Sequence, residues 1–150
     1  MTTWPSRSPR ITVPSASSRV YVDTSGLIAL LRAEDVAHGP TRDVMARLVT
    51  EGQRLVTTTY VAVETSALLT RRFGLAPVQA LDRLFGTAIE VLGVPLDLHW
   101  LAWREVLTGG RSGPSLVDWA GFLTMRGEGI ETAVAVDGHF RAQGFRVLPG

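Results

Sequence analysis

Four acidic residues stand where a carboxylate needs an explanation. Asp23 separates Val20-Tyr21-Val22, a β-branched and aromatic run that reads as a buried strand, from Thr24-Ser25-Gly26, after which the apolar residues take helical spacing. Glu64, in YVAVETSALLTRR, shares a helical stripe with Val61 and Leu68. Burial there strips hydration from a charge unless a partner or a cation compensates. Asp118 stands three residues after Ser115 in GPSLVDWAGF, and Asp137 closes the run AVAV just before Gly138. Each also has a purely structural account. Asp23 can cap a helix or form an Asx-turn, and Glu64 can turn to a wet margin and pair with Arg71 or Arg72. Asp118 can complete a capping box, and the Asp137-Gly138 pair can make a turn.

Their joint placement points further. Two of the acids end strands, one opens a helix and one projects from a helix that follows a strand. In a parallel sheet such positions meet at the carboxyl edge, where α/β proteins hold their ligands. Two unpaired carboxylates about 5 Å apart repel by roughly 3 kcal/mol at an effective dielectric near 20, so a group of them holds protons or binds a cation. A donor set of oxygen, without sulfur or clustered imidazole, favours Mg²⁺ or Mn²⁺ over zinc.

The elements that must position these residues alternate. After the opening strand and helix, a polar connection over 34–39 leads to a helix from Pro40 to Glu51 that stops at Gly52. RLVTTT, Arg54 to Thr59, reads as a second strand, followed by helices over about 60–72 and from Pro77 to about Phe85. Ala88 to Val94 is a third strand, and a helix over 97–107 carries Trp100, Trp103 and Leu107 along one stripe, as core or subunit contacts. The glycine-rich loop 108–114 lacks the ending of a phosphate-binding P-loop. A helix from Ser115 to about Met125, a strand over 133–136 ended by Asp137, and a fifth strand over 145–148 complete the chain. Alternation of this kind implies one α/β domain, a parallel sheet of about five short strands with helices on both faces.

Composition excludes several classes. The 150 residues include no cysteine, which removes disulfides and thiolate metal sites. No apolar run approaches the roughly 18 residues of a membrane span, and nothing argues for export, so the cytoplasm is the expected location. A formal net charge of +1 makes no case for bulk attraction to a polyanion, although all fifteen basic residues are arginine. Guanidinium groups match phosphates well, so a local patch stays open. Residues 1–18, rich in Ser, Pro and Thr, read as a disordered extension ahead of a domain over 19–150.

In VDTSGLIALL with Asp23, VAVETSALL with Glu64, SLVDW with Asp118 and AVDGHF with Asp137, the chain resembles the PIN-domain ribonucleases, in particular the VapC-type toxins of bacterial toxin–antitoxin modules. The resemblance spans about 20–148 and rests on the order, spacing and strand–helix context of the four motifs together. It implies a PIN-like three-layer sandwich and Mg²⁺-dependent hydrolysis of RNA, with Mn²⁺ as a substitute. Asp23 and Asp118 would hold the metal, Glu64 and Asp137 would complete the acidic pocket, and Thr24 would support it. His139, two residues beyond Asp137, would contact substrate or move a proton. Arg32, Arg71, Arg72, Arg111 and Arg141 are candidates for docking the RNA backbone. The implied partners are RNA, a cognate antitoxin whose peptide covers the acidic groove, and a second copy in a homodimer. A housekeeping RNA-processing nuclease and a non-catalytic α/β binding module are the alternatives.

Overall fold

A computed structural model describes residues 18–150. The expected disordered extension therefore lies outside the described residues, apart from Ser18. The chain runs β1 (Arg19–Val22), α1 (Thr24–Leu31), α2 (His38–Thr50), β2 (Arg54–Thr58), α3 (Thr59–Phe73), α4 (Ala76–Thr87), β3 (Ile89–Leu92), α5 (Leu96–Gly109), α6 (Leu116–Glu128), β4 (Thr132–Val134), α7 (His139–Ala142) and β5 (Arg146–Leu148). The five strands form one parallel sheet in the order β3-β2-β1-β4-β5. From β1 the chain builds outward to β2 and β3 on one side, then crosses to β4 and β5 on the other. With right-handed crossovers, that reversal puts helices on opposite faces and opens a crevice at the carboxyl ends of β1 and β4.

Strands buried on both faces explain the unbroken apolar runs read from the sequence. Tyr21, Val22, Val56, Ala133 and Val134 are fully buried. Against them packs an aromatic group in which the Phe122 and Phe140 rings lie 4.8 Å apart and those of Tyr21 and Phe140 5.7 Å apart. Each such pair contributes about 0.5–1.5 kcal/mol beyond its buried area.

Three helices open at the carboxyl edge, each held by a side chain. Asp23 caps α1 by accepting the Ser25 N–H, Thr58 caps α3 by accepting the Val61 N–H, and Ser115 and Asp118 form a reciprocal capping box on α6. Helix α1 is pressed against β4 at Gly26, where a Cβ would lie 2.7 Å from the Val134 carbonyl oxygen. Only glycine allows that approach.

Several expected boundaries move. Helix α6 begins after Ser115, which is its cap, and continues to Glu128. Strand β4 ends at Val134, so Asp137 lies in the loop beyond the strand. The short helix α7 fills part of what the sequence leaves irregular; four residues carry too little periodicity to be read. Helix α3 buries Val61, Thr65 and Leu69, so its core stripe is Val61-Thr65-Leu69 and Leu68 is half-buried. Glu64 lies beside that stripe, half-buried.

Candidate active site

The crevice gathers acids from three different connections. Asp23 follows β1, Asp137 follows β4 and Asp118 lies in the first turn of α6, and one oxygen from each lies within 4.8 Å of the others. Asp23 is only 2 % exposed, and the other two are half-buried. No ion pair among the described residues involves any of the three.

The structural accounts of these acids hold as well. Asp23 Oδ2 accepts the Ser25 N–H at 3.2 Å and the Ser25 hydroxyl at 2.8 Å. Asp118 Oδ2 accepts the Ser115 N–H at 2.9 Å, while Ser115 Oγ accepts the Asp118 N–H at 3.2 Å. Asp137 Oδ1 accepts the His139 N–H at 3.0 Å. Each carboxylate has two oxygens and about four lone-pair directions, so capping fixes its orientation without exhausting its capacity.

Electrostatics records the crowding. Burial pushes the Asp23 carboxyl up from its ordinary 3.8 to about 7, against the pull of the Ser25 hydroxyl, and the charges of Asp137 and then Asp118 push it the same way. A buried carboxyl facing two others, with no ion pair to any of them among the described residues, is relieved of repulsion by a proton or a cation. The donor chemistry is carboxylate oxygen throughout, which fits a hard divalent cation.

No protein-family profile matches the chain. The 23S rRNA-specific endonuclease VapC20 of Mycobacterium tuberculosis, in strains CDC 1551 / Oshkosh and ATCC 25618 / H37Rv, is 36% identical over 127 residues, which cover 84% of this chain and 95% of that protein. The chain belongs to the VapC family. The crystal structure of M. tuberculosis VapC20, titled a sarcin-ricin loop cleaving toxin, matches the present fold with a TM-score of 0.74 at 35% identity, covering 84% of this chain and 95% of that one. The α/β sandwich with its five-stranded parallel sheet is thus the PIN fold of a VapC-type toxin.

Within this VapC fold the residues expected from sequence take unequal places. Asp23, Asp118 and Asp137 come together, and Asp137 is as close to the other two as a metal ligand would be, although the sequence suggests only Asp23 and Asp118 for that role. Glu64 is not one of the three. Thr24 follows Asp23, but the hydroxyl that touches the Asp23 carboxylate belongs to Ser25, while Thr24 Oγ1 is buried without a hydrogen-bond partner among the described residues. Ser25 is therefore a site residue that sequence reasoning misses. Its signal was there: a hydroxyl two residues after an aspartate that opens a helix. His139 opens α7 and donates its backbone N–H to Asp137 Oδ1. Of the expected docking arginines, Arg32 is engaged with Glu34 at 3.2 Å and lies 3.6 Å over the Phe73 ring, whereas Arg71, Arg72, Arg111 and Arg141 form no ion pair among the described residues.

Proposed function

We propose that this chain is the toxin of a VapBC-type module and hydrolyses RNA phosphodiester bonds with Mg²⁺, Mn²⁺ serving as a substitute. The observation that carries the reading is the convergence of Asp23, Asp118 and Asp137 within 4.8 Å at the carboxyl edge of the sheet, none of them in an ion pair among the described residues. The ribosomal RNA cleavage named for the VapC20 relatives supports an RNA substrate.

Asp23, Asp118 and Asp137 would hold the ion. Bound there, it would lower the pKa of a coordinated water and stabilise charge on the scissile phosphate. The side chains have their own tasks. Ser25 and the Ser115 N–H fix the rotation of Asp23 and Asp118. Glu64 orients the attacking water from α3, and His139 contacts substrate or moves a proton at the rim. Thr24 supports the ligand shell with its otherwise unpartnered hydroxyl. Arg71, Arg72, Arg111 and Arg141 dock the RNA backbone, offsetting the repulsion that so acidic a crevice exerts on a polyanion.

A cognate antitoxin covers the acidic groove and sets a basic side chain among the carboxylates, and the toxin itself is a homodimer. No helix among the described residues is long and apolar enough to cross a membrane, which accords with action on RNA in the cytoplasm.

Incubating purified protein with RNA and mapping the new ends tests this reading. Cleavage is expected with Mg²⁺ or Mn²⁺, to stop in chelator, and to fall at least about 100-fold in Asp118→Asn. The variant keeps an acceptor for the Ser115 N–H, so its melting temperature stays close to that of the parent. Equal cleavage by Asp118→Asn rejects the assignment.

A further inference from the structure

The side chain of Tyr21 reaches the segments that carry all four acids. It leaves β1 two residues before Asp23 and is fully buried. Its hydroxyl lies 3.3 Å from that of Thr58, which caps α3, the helix of Glu64, by accepting the Val61 N–H at 3.3 Å. Helix α6 comes up against the same oxygen: a Cβ at Gly121 would stand 2.8 Å from Tyr21 Oη and 3.1 Å from its Cζ. Gly121 follows Asp118 by three residues, on the same side of the helix. The Tyr21 ring also packs on Phe140 of α7, three residues beyond Asp137, with centroids 5.7 Å apart.

A core strand does not need that oxygen. Phenylalanine would supply the same ring, and a buried hydroxyl costs free energy unless it is hydrogen-bonded. The partner here is a second buried hydroxyl, already the cap of a helix. Next to it, the Thr57 hydroxyl donates to the Val22 carbonyl at 2.7 Å and pins β2 to the residue before Asp23. Burial drives the pKa of Tyr21 far above the ordinary phenol value, against the pull of Thr58, and the charges of Asp23 and Asp118 push the same way. The group is a neutral hydroxyl within the field of both carboxylates.

We infer that Tyr21 is a positioning residue of the acidic site: its hydroxyl, held between Thr58 and Gly121, sets how far α3 and α6 stand from β1, and through them the spacing of Glu64 and Asp118 from Asp23. This inference rests on the proposed metal-dependent cleavage and adds to that site a determinant in the core behind it. A cation held at fixed ligand distances is sensitive to such spacing.

Tyr21→Phe removes one oxygen and keeps the ring, whereas Gly121→Ala drives a methyl group into that oxygen. Mn²⁺ titration and steady-state RNA cleavage, with circular dichroism melts alongside, read the effect of each. Tyr21→Phe is expected to stay folded, to bind Mn²⁺ about tenfold more weakly, and to lose about tenfold in kcat with the KM for RNA unchanged. Gly121→Ala is expected to weaken Mn²⁺ binding at least as much. Adding Tyr21→Phe to it should recover part of that loss, because the methyl group then has only the ring to clear. Tyr21→Phe with the Mn²⁺ affinity and kcat of the parent, or a double variant no better than Gly121→Ala, overturns the inference and leaves the cleavage reading standing. A Tyr21→Phe chain that no longer folds overturns it too, since the hydroxyl then serves the fold alone. A parent that neither binds Mn²⁺ nor cleaves RNA rejects the proposed function, and this inference with it.

Discussion

The Ser25 hydroxyl donates to Asp23 Oδ2 at 2.8 Å and accepts the Val136 N–H at 2.9 Å. One side chain thereby ties the acid at the end of β1 to the loop that carries Asp137. Ser25→Ala removes both bonds. We expect a loss of roughly 1–2 kcal/mol in denaturant unfolding and about tenfold weaker Mn²⁺ binding, because an outer partner that orients a ligand acts on the metal through it. Unchanged Mn²⁺ affinity would leave Ser25 with a structural role alone.

Asp23 also sets a pH dependence of stability. Its carboxyl is raised from 3.8 to about 7 on folding, so across that window the folded chain holds a proton the unfolded chain has released. The contribution is complete below the unfolded value and is lost as pH rises through the folded one. In chelator, the melting temperature should therefore fall between about pH 5 and 8, and fall less in saturating Mg²⁺, which favours the ionised carboxylate. Calorimetry at a series of pH values measures both slopes. A melting temperature in chelator that climbs across this window runs against the buried, crowded carboxyl.

Gly26 is a packing requirement with consequences for the site. A methyl group there meets the Val134 carbonyl oxygen at 2.7 Å, on the backbone whose N–H and C=O groups join β1 to β4. Gly26→Ala should cost about 1–3 kcal/mol and separate Asp23 from Asp137, lowering Mn²⁺ affinity along with stability. Denaturant melts and a metal titration on the same preparation test both effects. The outcome at odds with this packing is a variant as stable as the parent.

The legible part of the molecule was its punctuation. Asp23, Ser115-Asp118 and Asp137-Gly138 are turn and cap residues, whose local chemistry fixes their place whatever packs around them. The alternation of strands and helices, together with parallel-sheet rules, then brought them to one edge. Glu64 was read from a helical stripe, and stripes have a phase that sequence sets poorly: the buried register is Val61-Thr65-Leu69 because a threonine occupies a core position. Thr24 and Ser25 are chemically alike, and only the turn geometry selects the second as the partner of Asp23. The α5 stripe of Trp100, Trp103 and Leu107 reads as core or subunit contact because it is apolar and periodic, and it is exposed rather than core. What hid its exposure is that Ala102, Leu98 and Val106 already supply the inward face.

Mn²⁺ titration of the chelator-treated full chain, followed by electron paramagnetic resonance, tests most directly whether the three carboxylates form a cation site. Saturable binding is expected near neutral pH, with protons released as Asp23 ionises, and Asp23→Asn and Asp118→Asn should each weaken it about tenfold or more. Equal binding by the parent and both variants, or none at millimolar Mn²⁺, would contradict the account.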